Sequence, residues 1–289
     1  MKARFNKVAI AGMGLMGGSL GRALLERKLA LEVTGVGRNI KKLKLAMKKR
    51  AATSVTTDYK AGFSGADIIV LSVPVDMIPE IFRDNYRFMD PSCVVTDMGS
   101  VKGAIVGEIE KIEKSFPGRR NVFVGSHPMV GSEKTGIANS SAGMYEGGTC
   151  IITPTVNTDK KRVEVIRSVW KALGMKTVEM TPGEHDEKIS GVSHLPHMLA
   201  FLLSNMEAGV IKNNREIIGN GFRDTTRIGA SSEEIWGGIF MENKKALSTD
   251  IDRAINGLNK MKALLAGSDI NSLKRYIRNA RKTRELLNK

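Results

Sequence analysis

The chain is poor in several residue types, and each shortage excludes something. Of its 289 residues only two are cysteine, Cys93 and Cys150. They stand far apart, with no C-x-x-C pair, which argues against a disulfide scaffold and against a thiolate metal centre. The expectation is two buried thiols in a reducing compartment, hence a cytoplasmic protein. Aromatic residues make up 5% and are not interleaved with the basic runs, so no stacking platform for single-stranded nucleic acid is present. No apolar run approaches the length of a membrane span. The opening "MKARFNKVAIAGMG" mimics a secretion signal, but its apolar stretch is short and passes into glycines with a structural use, so that reading is set aside. No internal repeat and no low-complexity segment occurs.

Acids are scarce as well: 30 Asp and Glu stand against 45 Lys and Arg, a formal net charge of +15. Such an excess suits nucleic acid, or an anionic substrate and cofactor. The basic residues gather in "KKLKLAMKKR" (41–50) and between Lys244 and Lys289. Both stretches have helical spacing with the lysines on polar faces, the pattern of a solvated helix surface. The expectation is therefore a small-molecule enzyme with no nucleic-acid and no membrane partner. Hydrophobic residues at 42% suffice for a sizeable core and two domains.

The first part of the chain alternates short β-branched runs with helical patterns. "KVAIAG", "EVTGVG", "DIIVLSV", "CVVTDMG" and "NVFVGS" read as strands, with helices near 15–29, 40–50, 76–88 and 102–115. "GGTCIITPT" and "MKTVEMT" read as two more strands flanking a helix near 158–172. This is an α/β pattern of βαβ units: a Rossmann-type, doubly wound parallel sheet. After Thr181 strand-like runs vanish, and "HLPHMLAFLLSNMEAGVI" and the segments beyond it carry apolar residues at helical spacing. The predicted organisation is a dinucleotide-binding domain over 1–181 and an all-helical domain over 182–289. Helices this apolar suggest a face buried against a second copy, a homodimer.

The run "VAIAGMGLMGGSLG" explains its own glycines. Gly12, Gly14 and Gly17 fit G-x-G-x-x-G between a strand and a helix: the first for the tight turn, the second for close approach of a pyrophosphate, the third for helix-on-sheet packing. Leu15 and Met16 lie in the same turn and count with the cofactor-binding residues. The second strand ends in Gly37, Arg38 and Asn39, where NAD binding favours a carboxylate. A guanidinium there suits a 2′-phosphate, so the residues favour NADP, with NAD the alternative if Arg38 only stacks on the adenine.

Only four histidines occur. His127, in "GSHPMVGSEKTG", is expected in a Gly/Pro/Ser loop just past a strand end, a good place for a general base. "SHLPH" holds His194 and His197 three residues apart. With His185 and the acids of "GEHDE" a zinc site is conceivable, but the irregular spacing and the lack of cysteine argue against it, and no metal is expected. "TDMGSVK" puts Asp97, Ser100 and Lys102 at another strand end. "GFRDTTRIGASS" supplies Arg223 and Arg227, either of which could clamp a carboxylate or sit in an ion pair with Asp224.

Taken in order, "GMGLMGGSLG", "VTDMGSVK", "GSHPMVGSEKTG", "SHLPH" and "GFRDTTRIGASS" resemble the TyrA family of prephenate and arogenate dehydrogenases of tyrosine biosynthesis, over nearly the whole chain. The resemblance implies an oxidoreductase that couples hydride transfer to NAD(P) with decarboxylation of a cyclohexadienol. It gives His127 the role of catalytic base, and Ser100 that of the serine that bonds the reacting hydroxyl and orients His127. Arg227 becomes the carboxylate-binding arginine, Ser193, His194 and His197 the polar wall of the substrate pocket, and Glu133 a loop acid near its mouth. The second histidine of "HLPH" favours prephenate. Arogenate with NADP remains the alternative, as does another small acid on a related Rossmann dehydrogenase.

Overall fold

The computed structural model describes residues 4–119, 121–131, 134–267 and 269–288. By compactness the chain forms one unit over 1–244 and a second over 245–289. The first unit is built on an eight-stranded sheet. Its strands are β1 (Phe5–Ala11), β2 (Ala30–Val36), β3 (Ser54–Thr56), β4 (Ile68–Leu71), β5 (Val94–Asp97), β6 (Phe123–Met129), β7 (Thr149–Thr153) and β8 (Lys176–Glu179), in the order β3-β2-β1-β4-β5-β6-β7-β8. The connecting helices are α1 (Leu15–Glu26), α2 (Ile40–Lys48), α3 (Tyr59–Phe63), α4 (Met77–Asn85), α5 (Gly103–Lys114) and α6 (Lys160–Ala172).

The doubly wound arrangement follows from a period of two. Val8 and Ile10 of β1 enter one core, with Leu20 and Leu24 of α1, Leu43 of α2 and Ile166 of α6. Ala9 and Ala11 enter the other, with Phe63 of α3, Ile78 and Phe82 of α4 and Ile105 of α5. Central strands buried on both faces need continuous apolar runs, and "IIVL" of β4 is buried at every position. The strands β1 to β6 are parallel as expected. The sheet departs from the expectation at β7, which pairs antiparallel with β6 before β8 returns parallel to it. Two further elements, β3 and α3, have no counterpart in the sequence reading.

After β8 the chain is helical: α7 (Pro182–Ile189), α8 (Leu195–Met206), α9 (Ala208–Asn213), α10 (Asn220–Thr226) and α11 (Glu233–Glu242). Thr181 and Glu184 form a reciprocal capping box at the start of α7, with Pro182 in the first turn. A π turn, Ser190–His194, joins α7 to α8 just before Pro196. The second unit holds α12 (Lys244–Ala266) from its second residue on, and α13 (Ile270–Glu285). Asp269 caps α13, and Lys260 lies 5.8 Å from the Tyr276 ring. This unit leaves Ile255, Leu258, Leu265, Ile270 and Ile277 exposed.

Candidate active site at the carboxyl ends of β5 and β6

The site begins with Asp97, the fully buried last residue of β5. Its Oδ2 accepts from the Gly99 amide at 2.8 Å and pairs with Lys102 Nζ, while Oδ1 accepts from Ser126 N at 3.1 Å. The Ser126 hydroxyl donates back to the Asp97 carbonyl at 2.7 Å. One carboxylate thus shapes the turn that carries Ser100 and clamps β5 to β6 just before His127. Lys102 is also fully buried, and a buried ammonium persists only when paired, as here.

His127 is not in a loop. It lies inside β6, opposite Ile151 in the antiparallel ladder with β7. The strand runs three residues past the expected end because β7 supplies a second partner where β5 stops pairing. The strand holds the imidazole more rigidly than a loop would. Its Nδ1 stands 2.8 Å from Nε2 of His185 on α7, whose Nδ1 is 2.8 Å from Asp186 Oδ1. Asp186 also accepts from the Lys102 amide at 2.7 Å and the Gly103 amide at 2.8 Å, so it caps the N-terminus of α5. Asn243 donates through Nδ2 to the Asp186 carbonyl at 2.9 Å and to His194 Nδ1 at 3.0 Å.

Burial decides the charge of these rings. His127 is held well below the usual imidazole range by desolvation first, then by the neighbouring His185, Lys102 and His194. His185 is lowered by burial, against the pull of Asp186. His194 is pushed down to about 4 by burial, with Asp186 and the Ser100 carbonyl opposing. All three are therefore neutral at pH 7. A fourth ring, His197 on α8, donates from Nδ1 to the Ser193 carbonyl at 2.9 Å and stacks on Trp236 with centroids 3.6 Å apart. Burial lowers it too, with Arg227 adding to the shift, which places that guanidinium near the ring. Arg223 instead binds the Ile218 carbonyl.

The glycine turn fits a dinucleotide. Gly12 has φ +93°, in the left-handed region, and a Cβ on it would collide with the Ser72 carbonyl of the strand end beside it. A Cβ on Gly17 would collide with the Gly12 carbonyl, whereas Gly14 faces open space. No side chain caps α1 and no acid lies in its first turn, so its leading amides, at Leu15 and Met16, suit an anion. Arg38 is exposed beyond β2, and Asn39 caps α2 by accepting from Lys42 N at 3.1 Å.

The family model "Prephenate dehydrogenase, nucleotide-binding domain" matches residues 20–179, and "Prephenate dehydrogenase, dimerization domain" matches 181–279. The chain belongs to the prephenate dehydrogenase family. A prephenate dehydrogenase of Bacillus subtilis (strain 168) is 29% identical over 285 residues, covering 96% of this chain and 75% of that protein. The crystal structure of prephenate dehydrogenase from A. aeolicus in complex with hydroxyphenyl propionate and NAD+ superposes with TM-score 0.90 at 32% identity, covering 98% of each chain. Synechocystis arogenate dehydrogenase superposes with TM-score 0.81 at 27% identity, covering 97% of this chain and 99% of that one.

Within this prephenate dehydrogenase family frame, the structure brings His127, His185 and His194 into one buried cluster, with the Ser100 carbonyl beside it and His197 with Arg227 nearby. Glu133 lies outside the described residues. The sequence reading missed Asn243 altogether and gave Asp186 only a share in a conceivable zinc site. Among the described residues no group of three His, Cys, Asp or Glu is arranged to hold a metal. Nor is any helix long and apolar enough to cross a membrane. No local signal marks Asp186 as a cap or Asn243 as a bridge, because the amides that Asp186 receives and the groups that Asn243 binds are far away in sequence.

Proposed function

We propose that this chain is a prephenate dehydrogenase. It converts prephenate, by oxidative decarboxylation, to 4-hydroxyphenylpyruvate and carbon dioxide, and a bound nicotinamide cofactor supplies the hydride acceptor. The observation that carries this reading is the buried, neutral His127 at the carboxyl ends of β5 and β6, in a chain of this family. Its Nδ1 is engaged by His185, so Nε2 takes the proton of the ring hydroxyl. As that O–H bond breaks, the carbinol C–H pair departs as hydride and the ring carboxylate leaves as carbon dioxide. The bonding pair it leaves behind enters the ring, which becomes aromatic, and the ring oxygen takes back the proton held on His127 to give the 4-hydroxyl. Ser100 bonds the reacting hydroxyl and orients it toward His127. Arg227 holds a substrate carboxylate, and Ser193, His194 and His197 form the polar wall of the pocket.

Gly12, Gly14, Leu15, Met16 and Gly17 would hold the pyrophosphate of the cofactor, and Arg38 with Asn39 its adenosine ribose. NADP is favoured over NAD because the only acid on β2, Glu32, sits at the far end of the strand, where it accepts from Thr34 Oγ1 and Ser54 Oγ. His197 favours prephenate over arogenate. The functional division falls at residue 181, with nucleotide binding before it and substrate binding and dimerisation after it. The enzyme works as a homodimer in the cytoplasm, where the buried thiols of Cys93 and Cys150 stay reduced.

Initial rates with NADP and with NAD, each against prephenate and arogenate, test the assignment. Turnover with prephenate and NADP is the expected result. In the same assay His127→Asn lowers kcat by roughly 10²–10⁴-fold with cofactor binding retained. Undiminished turnover in that variant removes the base assignment.

A further inference from the structure

The base is the end of a chain of hydrogen bonds whose polarity is fixed at its other end. The Asp186 carboxylate only accepts. It receives the Lys102 and Gly103 amides at 2.7 and 2.8 Å, and its third contact is His185 Nδ1 at 2.8 Å. A lone pair on that nitrogen would face a carboxylate oxygen, so Nδ1 of His185 carries the proton. Neutral His185 then presents a lone pair on Nε2. His127 Nδ1, 2.8 Å away, must donate to it. That leaves the lone pair of His127 on Nε2, where nothing among the described residues hydrogen-bonds it.

Resting on the assignment of His127 as base, we propose that His185 and Asp186 are positioning residues: they lock His127 in the tautomer with its lone pair on Nε2 and take up positive charge when Nε2 is protonated. Once His127 gains the substrate proton, its Nδ1 proton can shift along the 2.8 Å contact to His185 Nε2. The cation then lies on the ring that touches Asp186. The atoms balance, since one proton enters at Nε2 and one moves from Nδ1 to the next ring. The other groups facing these rings do not supply that charge. Lys102 is cationic and paired with Asp97. His194 is neutral and receives the Asn243 amide. Asp186 is therefore the carboxylate in hydrogen-bond contact with the pair. Because it also caps α5, the tautomer of the base is tied to the helix that follows the Ser100 turn.

The test compares His185→Leu with His185→Gln in the full-length enzyme. Leucine breaks the chain. Glutamine can accept from His127 through its carbonyl and donate to Asp186 through its amide, but it cannot take charge. His185→Leu is expected to lower kcat roughly a hundredfold or more with KM changed by less than about threefold, and to displace the acid limb of the kcat/KM profile. His185→Gln is expected to recover at least roughly tenfold of that loss. Ring-nitrogen NMR of the wild-type enzyme is expected to show His127 Nδ1 protonated and Nε2 bare. This reading does not depend on whether a variant folds. Wild-type kcat in a folded His185→Leu, or a proton found on Nε2 of resting His127, overturns the proposal. If His127→Asn turns over normally, it is the base assignment that fails. If His127→Asn is inactive while His185→Leu is normal, only the positioning role fails.

Discussion

On the proposed reading, the choice of cofactor rests on a single side chain, Arg38. It is exposed at the end of β2, where a carboxylate would take ribose hydroxyls and a guanidinium takes a 2′-phosphate. A charge-assisted contact of this kind is worth roughly 1.5–3 kcal/mol. Arg38→Ser is therefore expected to lower kcat/KM for NADP by roughly tenfold to a hundredfold, with the value for NAD nearly unchanged. Steady-state kinetics with both cofactors checks this, and an equal loss for the two would mean that Arg38 stacks on the adenine and reads no phosphate. The place of this residue just past β2 was readable in the sequence because it depends only on a local offset from the end of a strand. Gly12 was legible for the same reason: its positive φ and tight approach to a neighbouring strand are demands that one turn makes on one residue. Asp186 was not, since its identity as a cap depends on amides more than eighty residues earlier in the chain.

At the scale of elements, long periodic helices and apolar strands were readable, whereas short or extended ones were not. β3 is the three-residue "SVT", only partly buried, and has no period to detect. The second half of β6 reads as "SHPM", rich in turn-forming residues, and is a strand only because β7 comes to pair with it. At the opposite end of that strand α5 presents Glu113, a buried acid whose Oε1 accepts from Val122 N at 2.7 Å and Phe123 N at 3.2 Å. Burial pushes its carboxyl up to about 7, against the pull of those two amides. A carboxyl raised in the folded state favours folding fully below its unfolded pKa near 4.5, and that contribution is lost as pH rises through about 7. Glutamine keeps the accepting oxygen without the charge. Glu113→Gln is expected to raise unfolding free energy at pH 8.5, by up to roughly 3 kcal/mol, and to change little at pH 5. Urea denaturation at the two pH values decides it, and a variant destabilised equally at both would show that the amides need a charged acceptor.

For the whole molecule the histidines are expected to set the acid limit. His127, His185 and His194 are all lowered in the folded state. A depressed histidine leaves stability intact above its unfolded pKa near 6.5 and removes it as pH falls toward the folded value, which for His194 is about 4. Between these values the unfolded chain binds up to three more protons on these rings than the folded one does. Glu113 works the other way by one. The net slope is therefore positive, roughly 1.4 kcal/mol per pH unit for each proton of difference. Stability should rise with pH from about 4.5 to 6.5 and then level off, because the opposing slope of Glu113 lies between 4.5 and about 7 and fades as that carboxyl ionises, so Glu113→Gln steepens the rise. The formal net charge of +15 adds self-repulsion that also grows in acid, but salt screens charges on the surface far more than groups buried beside one another. Urea midpoints at 0.05 and 0.5 M salt (about 14 and 4 Å of screening length, respectively, by the square-root rule) separate the two causes. A slope that survives high salt belongs to the buried rings. A slope that vanishes would assign the acid limit to the surface and leave the neutral cluster around His127 without a thermodynamic signature.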